Sequence, residues 1–193
     1  MRVTIICVLL LTAVGCTTPR DYRKAELAVE NDNFAQAYAL WQGLAEKGDA
    51  NSQYRLGELY HYGLGVDADI KTAIGWYTLA AEQGHVDAQN NLGIIYDEGH
   101  SVESDYRTAI KWYTMAAEQG DPGAQFNLGA IYLEEPNVED PVRAYMWWGI
   151  SAYLGNDLAG SQLEFAAEKM TDAEVAEALS LAHQCVRQKF RQC

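Results

Sequence analysis

The sequence predicts an all-α fold, a stack of helix-turn-helix units, on three observations. Residues 49–84 laid over 85–120 without a gap agree at 18 of 36 positions, and self-similarity at such a period marks repeated supersecondary units. Each unit carries two apolar stripes at helical spacing: Ser52, Leu56, Gly57, Leu59 and Tyr60 in its first half, Ala73, Trp76, Tyr77, Ala80 and Ala81 in its second. Glycines punctuate the pattern. Gly84, Gly120 and Gly155 follow the second helix where a cap wants positive φ, and Gly63, Gly65 and Gly99 mark the bend between helices.

The elements follow in chain order. Residues 1–15 read as an export signal, with Arg2 followed by an almost wholly apolar run of signal-peptide length ending in Ala13, Val14 and Gly15. Small residues before Cys16 resemble the bacterial lipobox, in which the cysteine is acylated and becomes the first residue. Ala13 stands where Leu is commoner, so an ordinary cleaved signal is the alternative. Thr17, not Asp, follows the cysteine, which by the same resemblance implies sorting to the outer membrane of a Gram-negative cell. Residues 16–20 are then a short lipid-anchored linker.

Residues 21–48 form a first unit whose second half, Phe34 to Gly48, matches the repeat; Asp21 is a plausible cap for its first half. Units 49–84 and 85–120 are full repeats. The unit 121–155 keeps Leu128, Gly129 and Tyr132 in register and lacks one residue before Ala144, Trp147 and Gly155, a deletion placed in the loop. Gly57, Gly93 and Gly129 cost about 1 kcal/mol each in helix propensity, which close helix approach explains. Trp and Tyr at repeating positions read as core wedges. Residues 156–193 are two closing helices, the second begun by a capping box of Thr171 and Glu174 and running to about Arg187.

Cys7 leaves with the signal, and Cys185 and Cys193 face an oxidising compartment, where a disulfide is the natural reading. Continuous helix would hold them about 12 Å apart, beyond the roughly 7 Å limit, so a bridge requires the chain to reverse after about Arg187. A metal pair with His183 is the alternative.

The pattern A-x-x-Q-x-x-L-G-x-x-Y, then G-x-G-V, then K/R-x-A-x-x-W-Y-x-x-A-A-E-Q-G, resembles the Sel1-like repeat, a relative of the tetratricopeptide repeat, over about residues 34–155. The resemblance implies a right-handed α-solenoid used for protein contacts. In the cysteine-rich Sel1-like proteins, associated with penicillin binding and weak β-lactamase activity, cysteine pairs eight residues apart tie one unit to the next. Here those places hold Ala81 and Gln89, then Ala117 and Gln125, which departs from that subgroup.

The chemistry classes are mostly excluded. With 27 acidic against 14 basic residues and a net charge of -13, nucleic acid would be repelled. No apolar run beyond the first fifteen residues approaches the about 20 needed to span a bilayer. G-x-S-x-G and H-E-x-x-H are missing, and none of the six serines is followed three residues later by Lys. His61, His85, His100 and His183 fall at unrelated repeat positions and read as solvated loop residues rather than metal ligands. No catalytic residue, metal or cofactor is expected.

A binding face remains. In tetratricopeptide repeats the residue before Leu-Gly lines the concave wall and is often an Asn that bonds a peptide backbone; here it is Arg55, Asn91 and Asn127. Spacings of three and four add Tyr54, Glu58, His61, Asn90, Ile94, Asp97 and Phe126 to that face. The expectation is a protein-binding scaffold of the cell envelope, held to the membrane by lipid alone on the periplasmic side of the outer membrane, or else soluble in the periplasm or secreted. Cell-wall fragment or β-lactam binding is the alternative function. Oligomeric state stays open, with dimerisation through an incompletely covered first unit as one route.

Overall fold

The computed structural model describes residues 19–99, 102–191 and 193. The signal, Cys16 and His100 lie outside the described residues. Ten helices are found among the described residues: α1 (Pro19–Glu30), α2 (Phe34–Ala45), α3 (Ala50–Tyr62), α4 (Ile70–Glu82), α5 (Val86–Glu98), α6 (Tyr106–Ala117), α7 (Pro122–Glu134), α8 (Pro141–Tyr153), α9 (Asp157–Ala167) and α10 (Asp172–Arg187). From α1 to α9 each helix packs on the next. α5 also touches α7 directly, so the first helices of successive units form the inner layer of an α-solenoid.

Local chemistry sets the helix ends. Asp49, Asp69, Asp105, Asp121 and Asp140 cap the starts of α3, α4, α6, α7 and α8, each carboxylate accepting backbone N–H groups that have no intrahelical partner. Asp69 and Asp105 also accept the hydroxyls of Thr72 and Thr108, at 2.6 Å in both units. Gly63 and Gly99 close the first helices in the left-handed region, at φ 68° and 66°. The third unit has Glu135 there in extended conformation, yet the loop-closing bond persists. The Asp140 amide donates to the Tyr132 carbonyl as Asp69 does to Tyr60 and Asp105 to Tyr96. The missing residue is therefore absorbed inside the turn.

Packing explains the helical glycines. A Cβ on Gly57 or Gly93 would stand 2.4 Å from the ring of Tyr77 or Tyr113, and one on Gly129 would stand 2.5 Å from Trp148. The close approach is thus between a backbone and an aromatic ring rather than between two backbones. The alanines Ala73, Ala80, Ala109, Ala116 and Ala144 are sealed behind these rings.

Several expectations need correcting. The first helix begins at Pro19, so Asp21 lies in its first turn, ion-paired with Lys24, instead of capping it. α1 covers α2 with buried Ala25 and Ala28, and the first unit is a complete helix pair. Of the repeating tryptophans Trp112 and Trp147 are buried, while Trp76 is half-buried against the core of the first units. Two of the described histidines are not loop residues: His61 lies in the last turn of α3 and His183 within α10, whereas His85, in the connection before α5, caps that helix.

The C-terminal end departs from the regular stack. α9 takes the place of a first helix, but α10 packs chiefly on α8 instead of pairing with α9. Lys189 and Phe190 adopt positive φ, the chain reverses after Arg187 as bridging required, and Cys185 bonds to Cys193 with Cα atoms 5.1 Å apart. Both sulfurs are thus committed to each other, and the metal pair with His183 is ruled out. Phe190 comes to rest against Gly120 at the end of α6.

Candidate functional site

The ten residues singled out on the first helices, Tyr54, Arg55, Glu58, His61, Asn90, Asn91, Ile94, Asp97, Phe126 and Asn127, are all half-buried on α3, α5 and α7. They divide into three stations along the inner layer.

The first station gathers around Arg55. Its Nη1 donates to Glu58 Oε2 at 2.8 Å, its Nε to the Tyr22 hydroxyl at 3.4 Å, and Nε also lies 3.3 Å from Glu26 Oε1. The guanidinium stands over the rings of Trp41 and Tyr54, at 6.0 and 5.7 Å from their centroids. Burial disfavours this cation, but bonds to Tyr22 and Glu58 outweigh it and hold the pKa above the ordinary arginine value. Tyr54 donates to Glu58 Oε1 at 2.9 Å and stacks on His85 at 4.5 Å. Burial, then the Glu58 charge, pushes its hydroxyl above the usual phenol range.

The middle station consists of amides. Asn91 bonds the Tyr77 hydroxyl and Asn127 bonds the Tyr113 hydroxyl, each across the joint to the preceding unit. The Asn127 amide reaches Asn90 Oδ1 at 3.5 Å, linking α7 to α5. The residues before Leu-Gly, and Asn90 with them, are therefore partly spent on holding units together.

The third station is acidic. The Tyr113 hydroxyl donates to Asp97 Oδ2 at 3.3 Å, as the Tyr77 hydroxyl meets His61 Nδ1 at 3.4 Å one unit earlier. Burial raises the Asp97 pKa, helped by Glu135, Glu98 and Glu134 and opposed by Tyr113. Burial lowers that of His61, so its ring, stacked on Tyr62, is neutral at pH 7. Among the described residues no three His, Cys, Asp or Glu side chains converge as a metal site.

A ladder of glutamines at the joints was missed from sequence. Gln53, Gln89 and Gln125 are buried and donate to the carbonyls of Ala45, Ala81 and Ala117, at 3.1, 2.9 and 3.1 Å. Gln83 and Gln119 in turn donate to the side-chain oxygens of Gln53 and Gln89, at 2.7 and 2.8 Å. The positions that cysteine-rich relatives bridge covalently are bridged here by an amide and a carbonyl. The signal was present as the repeated Q of the motif, and its spacing of eight from the acceptor was the clue.

The Sel1 repeat family model matches residues 50–85, 86–121 and 122–156. The fold is similar to the crystal structure of a Sel1 repeat protein from Oxalobacter formigenes, with 25% identity, a TM-score of 0.68, and coverage of 85% of this chain and 75% of that one. It is also similar to a protective antigen of uropathogenic Escherichia coli displaying an SLR fold, at 22% identity and a TM-score of 0.57. That match covers 88% of this chain and 54% of the antigen, so the chain spans about half the length of that protein. With three consecutive repeats matched over more than half its length and the glycine–ring packing common to each, the chain belongs to the Sel1 repeat family.

Proposed function

We propose that the chain is a non-enzymatic scaffold of the bacterial cell envelope that holds a protein or peptide on the inner wall of α3, α5 and α7. The observation that carries this reading is the row of half-buried cationic, aromatic, amide and acidic groups along adjacent first helices. A graded row of this kind offers an extended chain or a helix separate partners for its charges and amides. The Sel1-repeat fold is typical of protein-interaction scaffolds, which points the same way. Burial of Trp41, Trp112, Trp147 and Trp148 favours protein over glycan, since sugar stacking wants exposed indoles.

Residues 1–15 then export the chain, lipid on Cys16 anchors it to the periplasmic side of the outer membrane, and residues 156–193 close the repeats. The Cys185–Cys193 bridge fits an oxidising compartment. Palmitate labelling that persists in Cys16→Ser would remove the anchor from this reading.

The wall is tested by placing a photocrosslinking residue at Asn90, with Lys111 on the second-helix layer as control. Asn90 should trap a discrete protein adduct that Ile94→Arg abolishes in a variant shown folded by circular dichroism. Equal adducts from both positions would displace the site from the wall. Recovery of muropeptide in place of protein would transfer the function to the cell-wall reading.

A further inference from the structure

The irregular C-terminal end carries a second surface, unlike the inner wall in both polarity and sign. Because α10 packs on α8, the outward face of α9 is left without the second helix that every earlier first helix has. Six of the ten large apolar side chains exposed among the described residues fall between residues 153 and 181; Tyr153 is 74% and Leu158 67% exposed. A terminal unit that served only as a cap would present a polar outer face. Two of the six, Tyr153 and Leu179, line one groove, and exposed apolar groups brought together in this way mark a contact surface.

Between α8 and α10 runs a groove of about 620 Å³, with Ile150 and Tyr153 on one side and Leu179, Ala182 and Val186 on the other. Ser180, His183 and Arg187 complete the α10 side, spaced three and four residues apart and thus on one stripe of the helix. The charge here is opposite in sign to the net charge of the molecule. All 27 acidic residues precede residue 178, whereas residues 178–193 hold Arg187, Lys189 and Arg191 and no acid.

We infer that the α8–α10 groove docks an acidic amphipathic helix of a partner protein, its apolar stripe against Tyr153, Leu179 and Val186 and its carboxylates towards Arg187. Charge complementarity selects this occupant. Among the residues lining the groove Arg187 is the one permanent charge and none is a carboxylate, so an acidic helix finds a partner there, while a basic one would be opposed by Arg187 and drawn to the acid-rich middle of the chain. An anionic bilayer has the right charge but the wrong form: the site is a groove between two helices, and the net charge of -13 opposes approach to such a leaflet. The inference does not depend on the inner-wall reading, since the two surfaces share no residue.

The test is fluorescence anisotropy on the full mature chain with two synthetic probes: a helix with Leu at i, i+3, i+4 and i+7 and Glu elsewhere, and its counterpart with Gln in place of Glu. The Glu probe should bind about tenfold more tightly than the Gln probe, the preference fading with salt. Arg187→Glu should abolish the preference, and Leu179→Asp should weaken both probes. Arg187 and Leu179 are exposed, so both variants should fold, which circular dichroism checks. Ile94→Arg on the inner wall should leave binding unchanged, so failure of one surface is distinguishable from failure of the other.

Equal binding of the two probes, or binding indifferent to Arg187→Glu, overturns the proposal. Sedimentation of the wild type as a dimer that Leu179→Asp dissolves would assign the groove to a second copy and overturn it as well. So would cosedimentation with phosphatidylglycerol vesicles that is lost in Arg187→Glu.

Discussion

Replacing Gln89 by Leu removes a side chain of similar size that makes two hydrogen bonds in the core, one to the Ala81 carbonyl and one from the Gln119 amide. The Ala81 carbonyl keeps the Gly84 amide as a partner, so no backbone group is orphaned. The loss is that of two net bonds, about 2 kcal/mol, or about 4–8 °C in Tm for a chain of this length. Gln125→Leu should behave differently. Gln125 donates to Ala117 in the same way, but its own side-chain oxygen is buried without a hydrogen-bond partner. Gln83 and Gln119 supply that donor to Gln53 and Gln89; the corresponding residue after α8 is Leu154. Losing one bond while also removing an orphaned acceptor should leave stability within about 1 kcal/mol of wild type. Leu154→Gln should supply the missing donor and stabilise by about 1 kcal/mol. Thermal unfolding followed by circular dichroism should rank Leu154→Gln first, wild type and Gln125→Leu close together, and Gln89→Leu last. Equal losses at residues 89 and 125, or no gain from Leu154→Gln, would refute the ladder as a stabilising device.

Gly93→Ala should destabilise by about 1–3 kcal/mol because its Cβ would meet the Tyr113 ring at 2.4 Å, whereas Gly75→Ala, with nothing near its Cβ, should stabilise α4 by about 1 kcal/mol in chemical denaturation. Reducing the Cys185–Cys193 bridge opens a loop with a sequence separation of 8. It should cost about 2.5 kcal/mol, with hydrogen exchange accelerating first in the last turns of α10. Asp97 has its pKa raised in the folded protein, so its ionised form is the less stable one there. Its contribution is full below the ordinary aspartate range and is lost as pH rises through the folded value. Asp97→Asn should therefore raise Tm at pH 7 and give no gain at pH 3; a gain of equal size at both would show that charge is not the cause.

What could be read from sequence was what local chemistry determines. The Thr171–Glu174 box forms as read, because the threonine hydroxyl and the glutamate carboxylate satisfy free amides within one turn, whereas Asp69 and Asp105 cap α4 and α6 by the same chemistry without having been singled out. The packing glycines were identified as sites of close approach, but not what approaches, because a ring on the facing helix and a bare backbone leave the same mark in the sequence. The residues before Leu-Gly were placed on the inner layer while their bonds to Tyr77 and Tyr113 were not foreseen. Those bonds join helices of different units, and nothing in either helix alone encodes them. The fate of α10 was equally invisible. Its capping box and apolar residues mark a helix without saying what it packs on, and only the competition between α8 and α9 for its apolar face decides that.

The irregularities at the C-terminal end fall within a single stretch of chain. The third unit is one residue short, loses the glycine that ends α5, and has Leu154 where earlier units have the ladder glutamine. Without that glutamine the joint after α8 lacks the donor that Gln83 and Gln119 provide at the joints before it. Leu154 itself is exposed beside Tyr153 but, unlike it, does not line the groove. α10 then lies along α8 and the disulfide-closed turn anchors it through Phe190 to the end of α6. A regular fourth pair would bury α9 and extend the acidic stack; the packing observed ends it in an apolar groove edged by Arg187. The same departure from the repeat thus breaks the regular stack and leaves the α8–α10 groove open. Leu154→Gln separates the two effects, since it completes the ladder without touching the groove: it should raise Tm and leave affinity for the Leu–Glu helix unchanged.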